Sequence, residues 1–183
     1  MNIFDYFDQI YIIHLDDLLD RKELIISQIE KYNMKKVTII DAVNKNKINL
    51  EKLKEKDLIA YKGHKYCKEK ININGYKCWC NGNGHEDVLR YTGRVACALS
   101  HNLVYENMLK NNYEKCLIFE DDFMINDSIK KISNELCEDI PKDWELMYFC
   151  NSYTARFVGA KYNRSYYYMT QPVFDAGAYS IKK

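Results

Sequence analysis

The sequence predicts an α/β fold, a central and mostly parallel sheet with helices on both faces. Three observations carry this expectation. Short apolar runs rich in β-branched and aromatic residues recur at 9–15, 36–41, 115–119 and 145–150, the pattern of buried strands. Between them lie stretches whose apolar residues repeat at helical spacing. The joints around the first helix are short, so strand, helix and strand make a βαβ unit with a right-handed crossover.

Each element has its own justification. The run 9–15 ends in Asp16 and Asp17, which are N-cap candidates. Leu18, Ile25, Ile29 and Tyr32 then share one helical face, so the first helix reaches about residue 32. The second strand is 36–41. From 44 to about 85 the pattern weakens: Leu50, Leu53 and Leu58 allow a short helix. Ile71-Asn72-Ile73, Asn74-Gly75 and Tyr76-Lys77-Cys78 read as a hairpin with a type I′ turn. Thr92 can cap a helix from Gly93 to about residue 110. The strand 115–119 runs into Glu120-Asp121-Asp122. Asp127 opens a helix to about 137, Pro141 ends the connection, and 145–150 is another buried strand. The last stretch, 157–183, is Tyr-rich and strand-like, with turns at Asn163-Arg164 and Asp175-Ala176-Gly177.

A chain of 183 residues fits one domain with a sizeable core. Its 27 basic and 26 acidic residues leave a net charge of +1, which argues against an electrostatic nucleic-acid binder. Only 2 Pro and 7 Gly exclude a linker-rich or collagen-like chain. No apolar run approaches the roughly 18–20 residues of a membrane span. The N-terminus lacks a basic leader and is interrupted by Asp5 and Asp8, so a cytoplasmic protein without a signal peptide is expected. The 16 Tyr fit the coding bias of an AT-rich genome; Tyr162, Tyr166, Tyr167 and Tyr168 suit either sugar stacking or strands with one wet end.

Reduced thiols are the default for the 7 cysteines, since Cys97, Cys116, Cys137 and Cys150 sit in apolar stretches. Cys67, Cys78 and Cys80 differ. With His64 and His85 they offer enough ligands for a tetrahedral zinc site in an insertion at about 60–90. Their spacing matches no standard zinc pattern, and reduced thiols in a loop-rich insertion, or one disulfide, explain them better.

Glu120-Asp121-Asp122 is the most informative triplet. Open α/β sheets bind ligands at the carboxyl ends of their strands. Adjacent carboxylates repel unless something positive neutralises them, and a divalent cation bridging a diphosphate does so with oxygen ligands. On extended backbone Glu120 and Asp122 share a face and Asp121 points away. A solvated loop of acids fits the same residues. Upstream, the helix beginning at Gly93 would present free N–H groups to a phosphate. Arg94 reads as a phosphate clamp or a surface charge. His101 lies on the apolar stripe with Cys97 and Val104, as a buried, hydrogen-bonded core histidine would.

Several segments together resemble glycosyltransferase family 25, the lipopolysaccharide-type and collagen-type sugar transferases. Tyr11-Ile12-Ile13-His14-Leu15-Asp16 with Asp20-Arg21 is similar to the family's first strand and its Asn-Leu-Asp … Asp-Arg signature. Gly93 … Cys97-Ala98-Leu99-Ser100-His101 and Cys116-Leu117-Ile118-Phe119-Glu120-Asp121-Asp122 resemble its Gly-Cys-x-Leu-Ser-His … Leu-Glu-Asp-Asp block. Asp143-Trp144-Glu145-Leu146-Met147-Tyr148 and Ala176-Gly177-Ala178-Tyr179-Ser180-Ile181 occupy the later positions. Three residues depart from the pattern: His14 replaces Asn, Asp17 replaces a basic residue and Ala96 replaces Gly.

The resemblance implies a GT-A-like nucleotide-sugar-binding fold and inverting transfer of galactose or glucose from a UDP-sugar to a glycan or protein acceptor. It also implies manganese or magnesium bridging the acids and the diphosphate. Carried over, Glu120 and Asp122 are the metal contacts. Arg21, Arg94, Ser100, His101 and Asp121 belong to the nucleotide-sugar site. An inverting transferase needs a carboxylate base, and Asp175 is the local candidate. Family members continue beyond the strand near residue 181, so the C-terminal part of the domain is expected to be absent. A silent nucleotide-sugar or glycan-binding module is the alternative; an unrelated metal-dependent phosphatase leaves the Ser-His helix unexplained.

Overall fold

The computed structural model describes residues 1–49, 52–53, 88–149, 161–166 and 177–183. The chain divides into two compact units: Met1–Ala42 with Ser100–Lys183, and Val43–Leu99. The first unit carries the sheet. The expected helix around Leu50 to Leu58 falls almost wholly outside the described residues; the 71–78 hairpin, the Cys–His cluster and Asp175 lie entirely outside them. In the second unit, a 3-10 turn at Lys45–Lys47 is held by Asn44, whose side chain accepts from the Asn46 N–H.

Among the described residues five strands form one sheet: β1 (Gln9–His14), β2 (Val37–Asp41), β3 (Lys115–Glu120), β4 (Leu146–Tyr148) and β5 (Ala178–Lys182), in spatial order β2-β1-β3-β5-β4. β1 pairs in parallel with β2 and β3, while β5 runs antiparallel between β3 and β4. The mostly parallel expectation therefore holds: β5 runs opposite to β3, and β4, antiparallel to β5, returns to the direction of β1, β2 and β3. The chain leaves β1 for β2 on one side and returns to β3 on the other. The carboxyl ends of β1 and β3 thus flank a topological switch point, where such sheets take their ligands.

Both faces of β1 are covered, which explains its almost unbroken apolar sequence. Side chains alternate between the two faces. Ile10, Ile12, Leu117 and Phe119 meet Ile25 of α1 (Leu19–Lys31), with Ile129 and Leu136 of α3 (Ile129–Asp139) packed against the same cluster. Tyr11, Ile13, Cys116, Ile118 and Tyr179 meet Val104 and Met108 in the later part of α2 (Val88–Lys110). Helices thus lie on both faces of the sheet.

Three helix starts differ from the sequence expectation. α1 begins at Leu19 without a side-chain cap, because a turn closed by the Leu18 N–H on the Leu15 carbonyl (2.9 Å) carries Asp16 and Asp17 ahead of the cap position. Asp16 instead pairs with Lys22 at 3.1 Å. α2 reaches back to Val88, so Thr92 and Gly93 are interior. One interior glycine costs about 1 kcal/mol relative to alanine, too little to break a helix of 23 residues. α3 starts at Ile129 because Asn126 accepts the Ser128 N–H (2.9 Å) in a side-chain turn. Asp127 does not cap it; Lys31 and the Tyr32 hydroxyl engage its carboxyl and hold it below the usual carboxylate range.

α1 and α2 end in the same way. Asn33 and Asn112 adopt left-handed backbone with φ of 51° and 55°. The next residue reaches back five positions in each case: Met34 N–H to Ile29 (3.0 Å) and Tyr113 N–H to Met108 (3.1 Å). This is the Schellman closure, which asparagine tolerates better than residues without a short polar side chain. Asn33→Ala is expected to lower stability by about 1 kcal/mol, and Asn33→Gly to leave it unchanged or raise it. Urea denaturation of the two variants measures both.

Candidate functional site

β1 ends at His14 and β3 at Glu120, so both strands deliver polar side chains to the switch point. His14 is fully buried on the α1 face. Its Nδ1 lies 3.2 Å from Asp121 Oδ2, and Arg21, in the first turn of α1, donates from Nη1 to Asp121 Oδ1. A neutral imidazole facing a carboxylate donates from the facing nitrogen. That leaves His14 Nε2 as a buried acceptor, with no hydrogen-bond partner among the described residues.

Glu120 points to the opposite face, as strand alternation requires. There His101 Nε2 lies 3.3 Å from Glu120 Oε1. The other nitrogen of His101 is 2.7 Å from the Tyr179 hydroxyl, which is 2.7 Å from the Tyr105 hydroxyl. Tyr179 is buried on β5, and burial together with the Tyr105 contact pushes its phenol far above the ordinary value. The phenol is therefore a proton donor at any working pH.

β3 stops at Glu120, and Asp121 and Asp122 lie in a turn closed by the Phe123 N–H on the Glu120 carbonyl (3.3 Å). Strand alternation explains Glu120 against Asp121, but it does not extend to Asp122. Asp122 is exposed and lines, with Glu120, a cleft of about 1050 Å³ whose other walls include Phe123, Trp144, Tyr148 and Ala178. Phe119 and Phe123 stack with ring centroids 4.4 Å apart, anchoring the turn that carries the acids.

The remaining expected site residues fall in different places. Ser100 is buried on α2, one residue before His101. Arg94 is exposed and belongs to the second unit. The start of α2 at or before Val88 places Gly93 inside the helix, where its N–H has an intrahelical acceptor and is not free for an anion. His101 matches its structural reading, buried and hydrogen-bonded, while also facing the acidic triplet. Tyr105 and Tyr179 escaped the sequence reading. Their one legible signal is the four-residue step from His101 to Tyr105, which places both on one helical face.

Glu120 and Asp122 supply hard oxygen donors at a strand end, the donor chemistry that manganese or magnesium takes. Asp121 is differently placed, since Arg21 already neutralises it and His14 helps to orient it.

Among the described residues no helix is long and apolar enough to cross a membrane. Residues 7–174 match the family model described as glycosyltransferase family 25 (LPS biosynthesis protein). The chain is similar to procollagen galactosyltransferase 2 of Mus musculus, 26% identical over 147 residues, which cover 78% of this chain and 20% of that protein. It is similar to procollagen galactosyltransferase 2 of Homo sapiens, 26% identical over 145 residues, with the same coverage of 78% and 20%. The chain thus spans about a fifth of the length of the curated relatives it matches. The five-stranded α/β sheet flanked by helices is the GT-A-like arrangement that the motifs imply. The family match takes in the ends of β1 and β3 and the whole acidic turn between its limits; the chain belongs to glycosyltransferase family 25.

Proposed function

We propose that this chain binds a UDP-sugar at the carboxyl ends of β1 and β3 and transfers its hexose, with inversion, to a glycan or protein acceptor. The observation that carries the reading is the acidic turn at the topological switch point, with Glu120 and Asp122 beside the cleft and Asp121 locked to Arg21. Galactose is the favoured sugar because the relatives bear the name galactosyltransferase; glucose is the alternative donor.

Glu120 and Asp122 would hold a manganese or magnesium ion, which offsets the charge that develops on the departing diphosphate. Arg21, fixed by Asp121 in the first turn of α1, would face the same phosphates. Ser100 and His101 complete the proposed donor site. The acceptor hydroxyl attacks the anomeric carbon as the bond to the diphosphate breaks. Its proton passes to a carboxylate base, for which Asp175 is the candidate.

Differential scanning fluorimetry with UDP and manganese tests the reading. A ligand at a hundred times its Kd adds about 2.7 kcal/mol, or roughly 5–10 °C for a chain of this size. Asp122→Ala is expected to abolish that shift while leaving the melting temperature of the free protein within about 2 °C. The absence of a shift with UDP or any UDP-hexose, with manganese or magnesium, would sink the proposal. Binding without release of UDP from the donor identifies a silent nucleotide-sugar module instead.

A further inference from the structure

We infer that His101 is a positioning residue: its Nε2–H holds Glu120, and a one-way proton chain from Tyr105 through Tyr179 anchors its other nitrogen. This rests on the reading of Glu120 as a metal contact.

Counting protons along the chain gives its direction. Glu120 Oε1 lies 3.3 Å from His101 Nε2, and an ionised carboxylate only accepts. Nε2 must therefore carry a hydrogen. In the neutral ring Nδ1 is then an acceptor, and it lies 2.7 Å from the Tyr179 hydroxyl. Tyr179 has a single proton and gives it to Nδ1. The Tyr179 oxygen in turn accepts from Tyr105, 2.7 Å away. Among the described residues each donor of this chain meets an acceptor.

The placement makes this arrangement rigid. His101 and Tyr105 stand one turn apart on α2, and Tyr179 sits opposite Ile118 on β5, on the face that Glu120 also uses. His101 and Tyr179 are almost wholly buried, at 8% and 3% exposure. Hydrogen bonds in such a chain polarise one another in the same direction. Groups that hold a metal-binding carboxylate commonly change metal affinity 10–100-fold when removed. His101 would thus act on the metal through Glu120.

The test pairs histidine 15N NMR with manganese binding followed by the EPR signal of free Mn2+ in the presence of UDP. The full chain is expected to show His101 as the Nε2–H tautomer before any metal is added. Tyr179→Phe removes one oxygen and preserves ring packing; Glu120 keeps the Nε2–H tautomer, but the ring loses its second anchor and manganese binding is expected to weaken several-fold. His101→Ala is expected to weaken it about 10–100-fold, and His101→Gln, whose amide can donate to Glu120, to restore part of the loss. If the melting temperature shows that His101→Ala does not fold, Tyr179→Phe decides alone. An Nδ1–H ring or an imidazolium in the wild type overturns the positioning role, as does unchanged manganese binding in Tyr179→Phe. A wild-type protein with the Nε2–H tautomer and no binding of manganese with UDP overturns the functional reading, and the positioning role falls with it.

Discussion

Raising the pH from about 9 to about 12 is expected to cost this protein several kcal/mol of stability, with Cys116 responsible for the earliest part of the loss. Cys116 and Tyr11 pack together on the α2 face of the sheet, and neither is exposed. Burial raises the Cys116 thiol from 9.0 to about 12, with the negative charge of Asp8 adding to it. Burial likewise raises Tyr11 from 10.0 to about 12, reinforced by its neighbours Cys116 and Tyr113. The Tyr11 hydroxyl donates to Asn107 Oδ1 at 2.7 Å, a bond that ionisation would turn into a repulsion between oxygens.

Both groups hold their protons longer folded than unfolded. The stability they contribute is complete below pH 9, where the unfolded thiol is still protonated. It declines as pH rises towards 12, since the unfolded chain releases protons that the native state retains. Each group removes on the order of 1 kcal/mol per pH unit across its own window. Urea denaturation at pH 8, 9, 10 and 11 gives the slope. Cys116→Ala lowers stability at pH 8 by roughly 1 kcal/mol through the lost thiol volume, yet flattens the decline between pH 9 and 10, where the thiol contributes more than Tyr11. Equal slopes in the two proteins over that interval would show that the alkaline loss begins elsewhere.

The sheet was legible because its strands are nearly continuous apolar runs, and a run such as 10–13 has few other homes. Helix starts were less legible. Asp16 and Asp127 both look like caps, yet one is displaced by a turn and the other is captured by Lys31 and Tyr32 from a helix about 95 residues away in sequence. Side-chain competition across that distance leaves no local trace. The acidic triplet was readable as chemistry because apolar residues led directly into it. Its sorting into three roles was only half readable: alternation separates Glu120 from Asp121, and the strand then ends. The tyrosines were the hardest. Tyr179 sits in a strand whose pattern asks only for a buried aromatic, and its role depends on α2 presenting His101 and Tyr105 to it.

Asp121→Ala is expected to lower stability by about 1–3 kcal/mol, the cost of leaving a buried donor without its acceptor. The loss comes through His14 more than through Arg21. Arg21 is 46% exposed at its side chain and regains water when its partner goes, so Arg21→Ala should change stability by no more than about 1 kcal/mol. His14 has no such recourse: its ring is fully buried, and its Nε2 already lacks a partner among the described residues. Removing Asp121 strips the other nitrogen as well. Replacing both polar partners by apolar groups is often nearly neutral, so His14→Leu combined with Asp121→Ala should be no less stable than Asp121→Ala alone. A double variant that loses the full sum of the two single effects would show that His14 and Asp121 are not coupled. Ligand binding separates the two residues in the opposite order. On the proposed function, Arg21→Ala removes a phosphate contact while sparing the fold, so the thermal shift with UDP and manganese should shrink by more than half. A full shift in Arg21→Ala would place the diphosphate away from α1 and leave Arg21 as nothing more than the outer partner of Asp121.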